Sequence, residues 1–184
     1  MFFCAKYIRK YREMNYMFKK GDLVLYGTNG LCDITDVTTV DIPGIDKDRL
    51  YYILSARSSK CTIYVAADGD LSKMRKPISK EEAKDLISKI REIEPLKLRD
   101  EKKPDAEYKE ALQKYDCIEL FKLIKCIYFR RKQRLDEGKK VTAADDKYMH
   151  LAEDVLYQEL GVVLDIPKDQ VLDYIIKEIE GNSR

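Results

Sequence analysis

The sequence predicts an α+β protein in which a small antiparallel β-barrel domain precedes an all-α domain of about five helices. Three observations predict it. Up to about residue 77 the chain is a series of short β-rich runs punctuated by Gly, Asn and Pro turns. At Lys76-Pro77-Ile78-Ser79 the composition changes, and every apolar stripe beyond that point has a helical period with its own cap. Internal repeats and low-complexity segments are absent from the sequence. The expected division is an N-terminal extension over residues 1–16, a β domain over 17–77 and a helical domain over 78–184.

The β domain opens with Lys20-Gly21-Asp22 as a turn, Leu23 to Tyr26 as a strand, and Gly27-Thr28-Asn29-Gly30, whose Asn-Gly pair is a strong hairpin signal. The next strand follows from Leu31 to about Val40. Cys32, Ile34 and Thr38 are expected on one face, and Asp33, Thr35, Val37 and Thr39 on the other. A Pro43-Gly44 turn within an acidic loop breaks that strand. Tyr51, Tyr52, Ile53 and Leu54 read as a buried central strand, residues 57–60 as a turn, and residues 61–66 as the returning partner. After Asp68-Gly69-Asp70, residues 71–76 close the sheet.

In the helical domain Ser79 and Glu82 form a capping box for a helix that buries Ala83, Leu86, Ile87, Ile90 and Ile93 and stops at Pro95. Asp105 is expected to cap a helix carrying Tyr108, Leu112 and Tyr115. Asp116 with Glu119 starts the next, with Leu120, Ile124, Ile127 and Tyr128 inward and Gly138 at its end. Thr142 and Asp145 begin a fourth helix bearing Tyr148, Leu151, Ala152, Val155, Leu156 and Leu160, closed by Gly161. Pro167 is expected at the first position of the last helix, whose stripe is Val171, Leu172, Ile175, Ile176 and Ile179.

A formal net charge of +2 on 184 residues, with 37% charged, does not announce nucleic-acid binding. Basic residues concentrate in residues 1–16, whereas beyond Ile78 acidic residues slightly outnumber basic ones. The 5 cysteines are widely spaced with no Cys-x-x-Cys pair, which argues against a disulfide framework or a zinc knuckle and for a reducing cytosol. No apolar run reaches the length of a membrane span, and residues 1–16 make a poor signal peptide and are expected to form a short helix. The expected localisation is therefore cytoplasmic. No cofactor, metal site or small-molecule substrate is expected.

Catalysis finds little support in the residue pattern. His150, the 1 histidine, lies beside a core stripe; Cys117 and Cys126 sit in a helix without an evident base. Phosphate-binding glycine loops and His-Glu-x-x-His pairs are missing. The expectation is a protein that is not an enzyme.

Lys19-Lys20-Gly21-Asp22 with Val24, Tyr26 and Gly30 resembles the opening of the bacterial CarD family and of the related RNA-polymerase-interacting domain of transcription-repair coupling factor. Leu50-Tyr51-Tyr52-Ile53-Leu54 and Thr62-Ile63-Tyr64-Val65 are similar to the central strands of that SH3/Tudor-like domain. Met74-Arg75-Lys76-Pro77-Ile78-Ser79 looks like its exit into the first helix. Tyr108-Lys109, residues 123–131, Glu159-Leu160 and Asp165-Ile166-Pro167 resemble the family's helical half. The resemblance implies a transcription regulator whose N-terminal domain docks on the β subunit of bacterial RNA polymerase. Its C-terminal domain would contact promoter DNA at the upstream edge of the melted bubble, without reading sequence, and so modulate the open complex.

Two departures bear on that expectation. Family members place a tryptophan and arginines before the Tyr-Lys; here Trp is 0 and the run is Lys103-Pro104-Asp105-Ala106-Glu107, which sets two carboxylates where phosphate would lie. Val40 and Tyr64 stand where some members carry arginine. Polymerase docking survives the first departure better than fork stabilisation does, and the second means that the details of the docking contact do not carry over.

The candidate polymerase-binding residues are Val40, Thr62, Ile63 and Tyr64, with residues 61–66 as an edge strand open to strand addition; the competing reading is an interior strand with an ordinary tyrosine. The same edge offers self-pairing. The candidate DNA-binding residues are Lys109, Lys122, Lys125, Arg130, Arg131 and Arg134, with Lys132 in the same cluster. Lys125 and Lys132, and Arg130 and Arg134, share helix faces and can meet successive phosphates. The competing reading is a solvated face whose positive charge complements the helix dipole. From a second function class, the alternative is a protein-interaction adaptor that uses the β domain and does not touch DNA.

Overall fold

A computed structural model of the chain describes residues 18–181. The expected N-terminal extension, residues 1–16, lies outside the described residues. Five strands are followed by five α-helices, as the α+β reading predicts: β1 Leu23–Tyr26, β2 Leu31–Thr38, β3 Tyr51–Ala56, β4 Thr62–Ala66, β5 Met74–Arg75, then α1 Lys80–Ser88, α2 Asp105–Gln113, α3 Cys117–Asp136, α4 Ala143–Leu164 and α5 Val171–Gly181. The strands make one antiparallel sheet in the order β4-β3-β2-β1-β5. It is open. The expected barrel does not close, because the closing strand is reduced to Met74–Arg75 and reaches only β1.

Local chemistry explains the turns. Gly21 adopts φ +89°, and Asp22 accepts from the Lys19 amide at 2.9 Å. The Asn29-Gly30 signal is a true reversal: Gly27–Asn29 forms a 3₁₀ turn and the Tyr26 amide donates to the Gly30 carbonyl at 3.0 Å. Gly30, at φ +67°, holds a backbone conformation that side chains rarely adopt, and a Cβ there would also displace the Gln158 amide, whose Oε1 would stand 2.9 Å away.

A register shift between Ile34 and Asp36 alters the expected faces of β2. The bulge places Val37 opposite Tyr52, so Val37 joins the core face that alternation assigned to its neighbours. On that face Phe18, Val24, Cys32, Ile34, Tyr52, Leu54, Ala56, Val65 and Met74 form one core. On the opposite face Leu25 and Leu31 join the helical core with Ala83, Ile87, Leu120, Leu123, Ile127, Leu156 and Leu160. Where β1 meets β2 the sheet is therefore buried on both sides, and the two modules share a core.

The helices begin largely where their caps predict. Ser79 and Glu82 make both capping-box bonds, at 3.1 and 2.7 Å. Asp116 accepts from the Ile118 and Glu119 amides, and Thr142 from that of Asp145. Pro104, not Asp105, occupies the N-cap of α2; Asp105 is the first helical residue, where its charge suits the helix dipole. Gly138, at φ +70°, follows the end of α3.

Three expectations are corrected. α4 runs through Gly161 to Leu164 and ends at Asp165 in the left-handed region. Gly161 serves a close approach, because a Cβ there would lie 3.0 Å from the Ile166 carbonyl oxygen. Pro167 precedes a 3₁₀ turn, Lys168–Gln170, before α5 begins. On the apolar stripes, Tyr128, Leu151, Leu172 and Ile176 face solvent, while Leu123 is fully buried in α3. The helices pack two-sidedly at their centres, so a stripe read on one angle misplaces its borders.

An ion pair locks the end of the sheet to α4. Arg75 donates to Glu159 through Nη1 at 2.6 Å and Nη2 at 2.8 Å, and through Nε to the Tyr115 carbonyl at 2.5 Å. Glu159, fully buried, also accepts from the Ile78 amide at 2.9 Å and from Cys117 Sγ at 3.2 Å. Burial and the adjacent carboxylate push the Cys117 thiol well above its ordinary pKa.

Candidate functional site

The β3–β4 hairpin forms one side of the sheet, with β4 outermost. Its turn includes Lys60 at φ +55°, whose amide donates to the Ala56 carbonyl at 2.8 Å. Arg57 forks onto Asp33 of β2, with Nε–Oδ2 at 2.8 Å and Nη2–Oδ1 at 2.6 Å. At the other end Arg49 reaches Asp68 Oδ1 with Nε at 3.0 Å and Nη2 at 2.6 Å. These guanidinium bonds hold both carboxyls below the usual carboxylate range, and staple the hairpin at its two ends.

The competing interior-strand reading of residues 61–66 does not hold: among the described residues β4 pairs with β3 alone and is an edge. Its hydrogen-bond phase follows from the register. The Ala56 amide donates to the Cys61 carbonyl and the Ala67 amide to that of Leu50, so residues 61, 63, 65 and 67 direct their backbone groups toward β3. Thr62, Tyr64 and Ala66 then turn their N–H and C=O groups outward. Side chains alternate accordingly. Ile63 and Val65 pack into the sheet core, while Thr62 and Tyr64 lie on the opposite face, Tyr64 directly across from half-buried Ile53 and 38% exposed. Thr62, Ile63 and Tyr64 therefore share one free edge. Val40 does not join them: it lies in the loop beyond β2, and β3 stands between β2 and β4.

The basic cluster has a different fate. Lys125 Nζ donates to the Ile90 and Ile93 carbonyls at 2.8 and 2.6 Å, closing the end of the 3₁₀ turn Ile90–Glu92, and desolvation there lowers its pKa. Arg130 donates to the Glu101 carbonyl at 3.0 Å and sets Nε 3.5 Å from Asp145 Oδ1. Lys122 pairs with Glu119 at 2.7 Å, Arg131 with Asp146 at 3.2 Å, and Arg134 donates to the Lys140 carbonyl at 2.9 Å. Among the described residues Lys109 and Lys132 are the members of the set with no such partner, and both are exposed. The shared helix faces are thus largely engaged with partners inside the protein. Replacing Lys125 with alanine is expected to cost about 1–2 kcal/mol, because carbonyls lose a charged donor, with no change in binding of duplex DNA. Urea denaturation and a DNA titration on the same variant check both halves.

Residues assigned no pairing role from the sequence hold this arrangement together. Asp145, fully buried, accepts from Tyr108 Oη at 2.8 Å, and Arg75 and Glu159 join the modules. For Asp145 and Glu159 the sequence signal of pairing is a carboxylate within an apolar helical stripe. Beside the cluster, Tyr128 and Phe129 are both exposed, with ring centroids 5.6 Å apart. His150 is exposed, and Cys117 and Cys126 are core thiols. Among the described residues no group of His, Cys, Asp and Glu side chains is arranged to hold a metal ion, and no helix is long and apolar enough to cross a membrane.

A family model for the CarD-like/TRCF RID domain matches residues 18–78, the whole described sheet and its exit into α1. No curated protein matches the chain.

Proposed function

Residues 18–78 are a CarD-like/TRCF RID domain, and from that premise we propose that the protein is a non-catalytic transcription regulator of the bacterial cytoplasm that docks on the RNA polymerase β subunit by adding a strand to β4. The domain is of an RNA-polymerase-interacting kind. One observation carries the proposed mode of docking: among the described residues β4 is an edge whose Thr62, Tyr64 and Ala66 turn their backbone groups outward with no strand beside them. Main-chain bonds to an incoming strand supply affinity, and Tyr64 over Ile53 supplies an apolar contact on one side of it. The stapled hairpin is pre-organised, so little ordering is required on binding.

Promoter contact in this reading is weak and salt-sensitive, and falls within the basic cluster to Lys109 and Lys132, because the other candidate DNA-binding residues are engaged within the protein. That neutralised basic face also favours the second reading, an adaptor that uses the same edge on another protein without touching DNA. The test is a titration of the full chain against the isolated β-subunit lobe of its own polymerase. The expected result is saturable binding, weakened at least about tenfold by Tyr64→Asp, a change equivalent to about 1.4 kcal/mol; Val40→Ala is expected to bind as the unmodified chain does. A folded protein that does not bind the lobe would overturn the polymerase assignment and leave the adaptor.

A further inference from the structure

We propose that β4 also pairs with the β4 of a second copy of this chain, about a twofold axis through Tyr64, and that this pairing hides the docking edge. The masking clause rests on the polymerase reading above; the self-pairing does not. The first ground is that, among the described residues, β4 carries no edge protection of its own. Thr62–Ala66 contains no charge, no proline and no bulge, the devices by which edge strands avoid each other.

The second ground is symmetry. An antiparallel pair centred on Tyr64 sets Tyr64 against Tyr64, Ile63 against Val65 and Thr62 against Ala66 of the other copy. The residues that face one another through Thr62, Tyr64 and Ala66 are those whose N–H and C=O groups point outward, so the hydrogen-bond phase matches without adjustment. The faces match as well. Ile63 and Val65 lie on the core side in both copies, so the inner apolar surface runs on across the junction, and a register moved by one residue would lose this agreement.

The third ground is charge. Just beyond the strand ends the same register brings Lys60 of one copy toward Asp68 of the other, at both ends. Lys60 has no ion pair among the described residues, and both Arg49 contacts on Asp68 fall on Oδ1. A strand of 5 residues makes a small interface, so the dimer is weak and forms at high protein concentration.

Sedimentation equilibrium of the full chain up to about 1 mM, where association corresponds to about 4 kcal/mol, measures it. The expected result is a concentration-dependent dimer, lost in Tyr64→Lys, which sets two ammonium groups on the axis. Register is read by a short bifunctional thiol reagent in a Cys4→Ser, Cys61→Ser background. Tyr64→Cys should cross-link, the paired Cα atoms being about 5.5 Å apart; Thr62→Cys should not; and Thr62→Cys with Ala66→Cys should. A chain that stays monomeric at the highest concentration, or equal cross-linking at positions 62 and 64, overturns the self-pairing. Adding the isolated β-subunit lobe should convert the dimer to a one-to-one complex. A dimer that takes up the lobe intact overturns the masking and places docking away from β4, while a lobe that does not bind at all refutes the polymerase reading and leaves the dimer standing.

Discussion

Truncation of Glu159 to alanine is expected to destabilise the fold by about 3 kcal/mol, because it removes one partner of a buried ion pair and strands the other. The carboxylate is fully buried, and four donors converge on it: both terminal nitrogens of Arg75, the Ile78 amide and the Cys117 thiol. Without it the guanidinium keeps the Tyr115 and Lys76 carbonyls, which do not neutralise its charge. Arg75 is 29% exposed, so water reaches part of it and sets the cost at the low end of the range for buried pairs. Glu159→Gln keeps the volume and is expected to lose less. Urea denaturation with an unchanged slope checks the figure; a loss below about 1 kcal/mol would place the pair with ordinary surface salt bridges. Lobe binding by the folded variant is expected to persist, since β5 and β4 are opposite edges of the sheet.

Asp145→Ala is expected to cost about 2 kcal/mol, the second largest of these effects. Its Oδ1 accepts from Tyr108 Oη at 2.8 Å and lies 3.5 Å from Arg130 Nε. Tyr108 is fully buried against Tyr148, with ring centroids 5.4 Å apart and an interplanar angle of 64°, so its hydroxyl has no route to water once the acceptor is gone. The carboxylate also stands in the first turn of α4, where it favours the helix dipole. Tyr108→Phe removes donor and demand together and is expected to cost about 1 kcal/mol. A double-mutant cycle between the two positions measures the bond itself, and a coupling energy near zero would show that Asp145 acts through the helix terminus alone.

The Asp145 result bears on function through Arg130. Read along α3, Arg130, Arg131 and Arg134 are a basic stripe. In the fold their partners come from elsewhere: the Glu101 carbonyl, Asp145, Asp146 and the Lys140 carbonyl. Lys125 likewise closes the end of a 3₁₀ turn more than thirty residues earlier in the chain. Helical period establishes which side chains share a face. It carries no information about which carbonyls another segment brings to that face.

The strand region was more legible, for a local reason. Turn residues act on their own backbone, so Gly21, Asn29-Gly30 and the capping residues Ser79, Asp116 and Thr142 marked real boundaries. Alternation failed only past Thr35, where a bulge moved Val37 to the core face. Residues 61–66 were legible as a strand, and their motif resembled a docking strand. Only assembly of the sheet made that strand an edge, because edge position depends on whether another segment pairs with it.

The α+β class, the five helices, most of the caps and the character of residues 18–78 were thus properties of the amino-acid sequence itself, since each depends on short-range backbone and side-chain preferences. Tertiary structure decided that, among the described residues, the barrel stays open and β4 pairs with β3 alone, that Arg75 and Glu159 join the modules and that most of the basic cluster is occupied. Those outcomes depend on contacts between segments distant in the chain, where burial and charge pairing are set by what packing brings together.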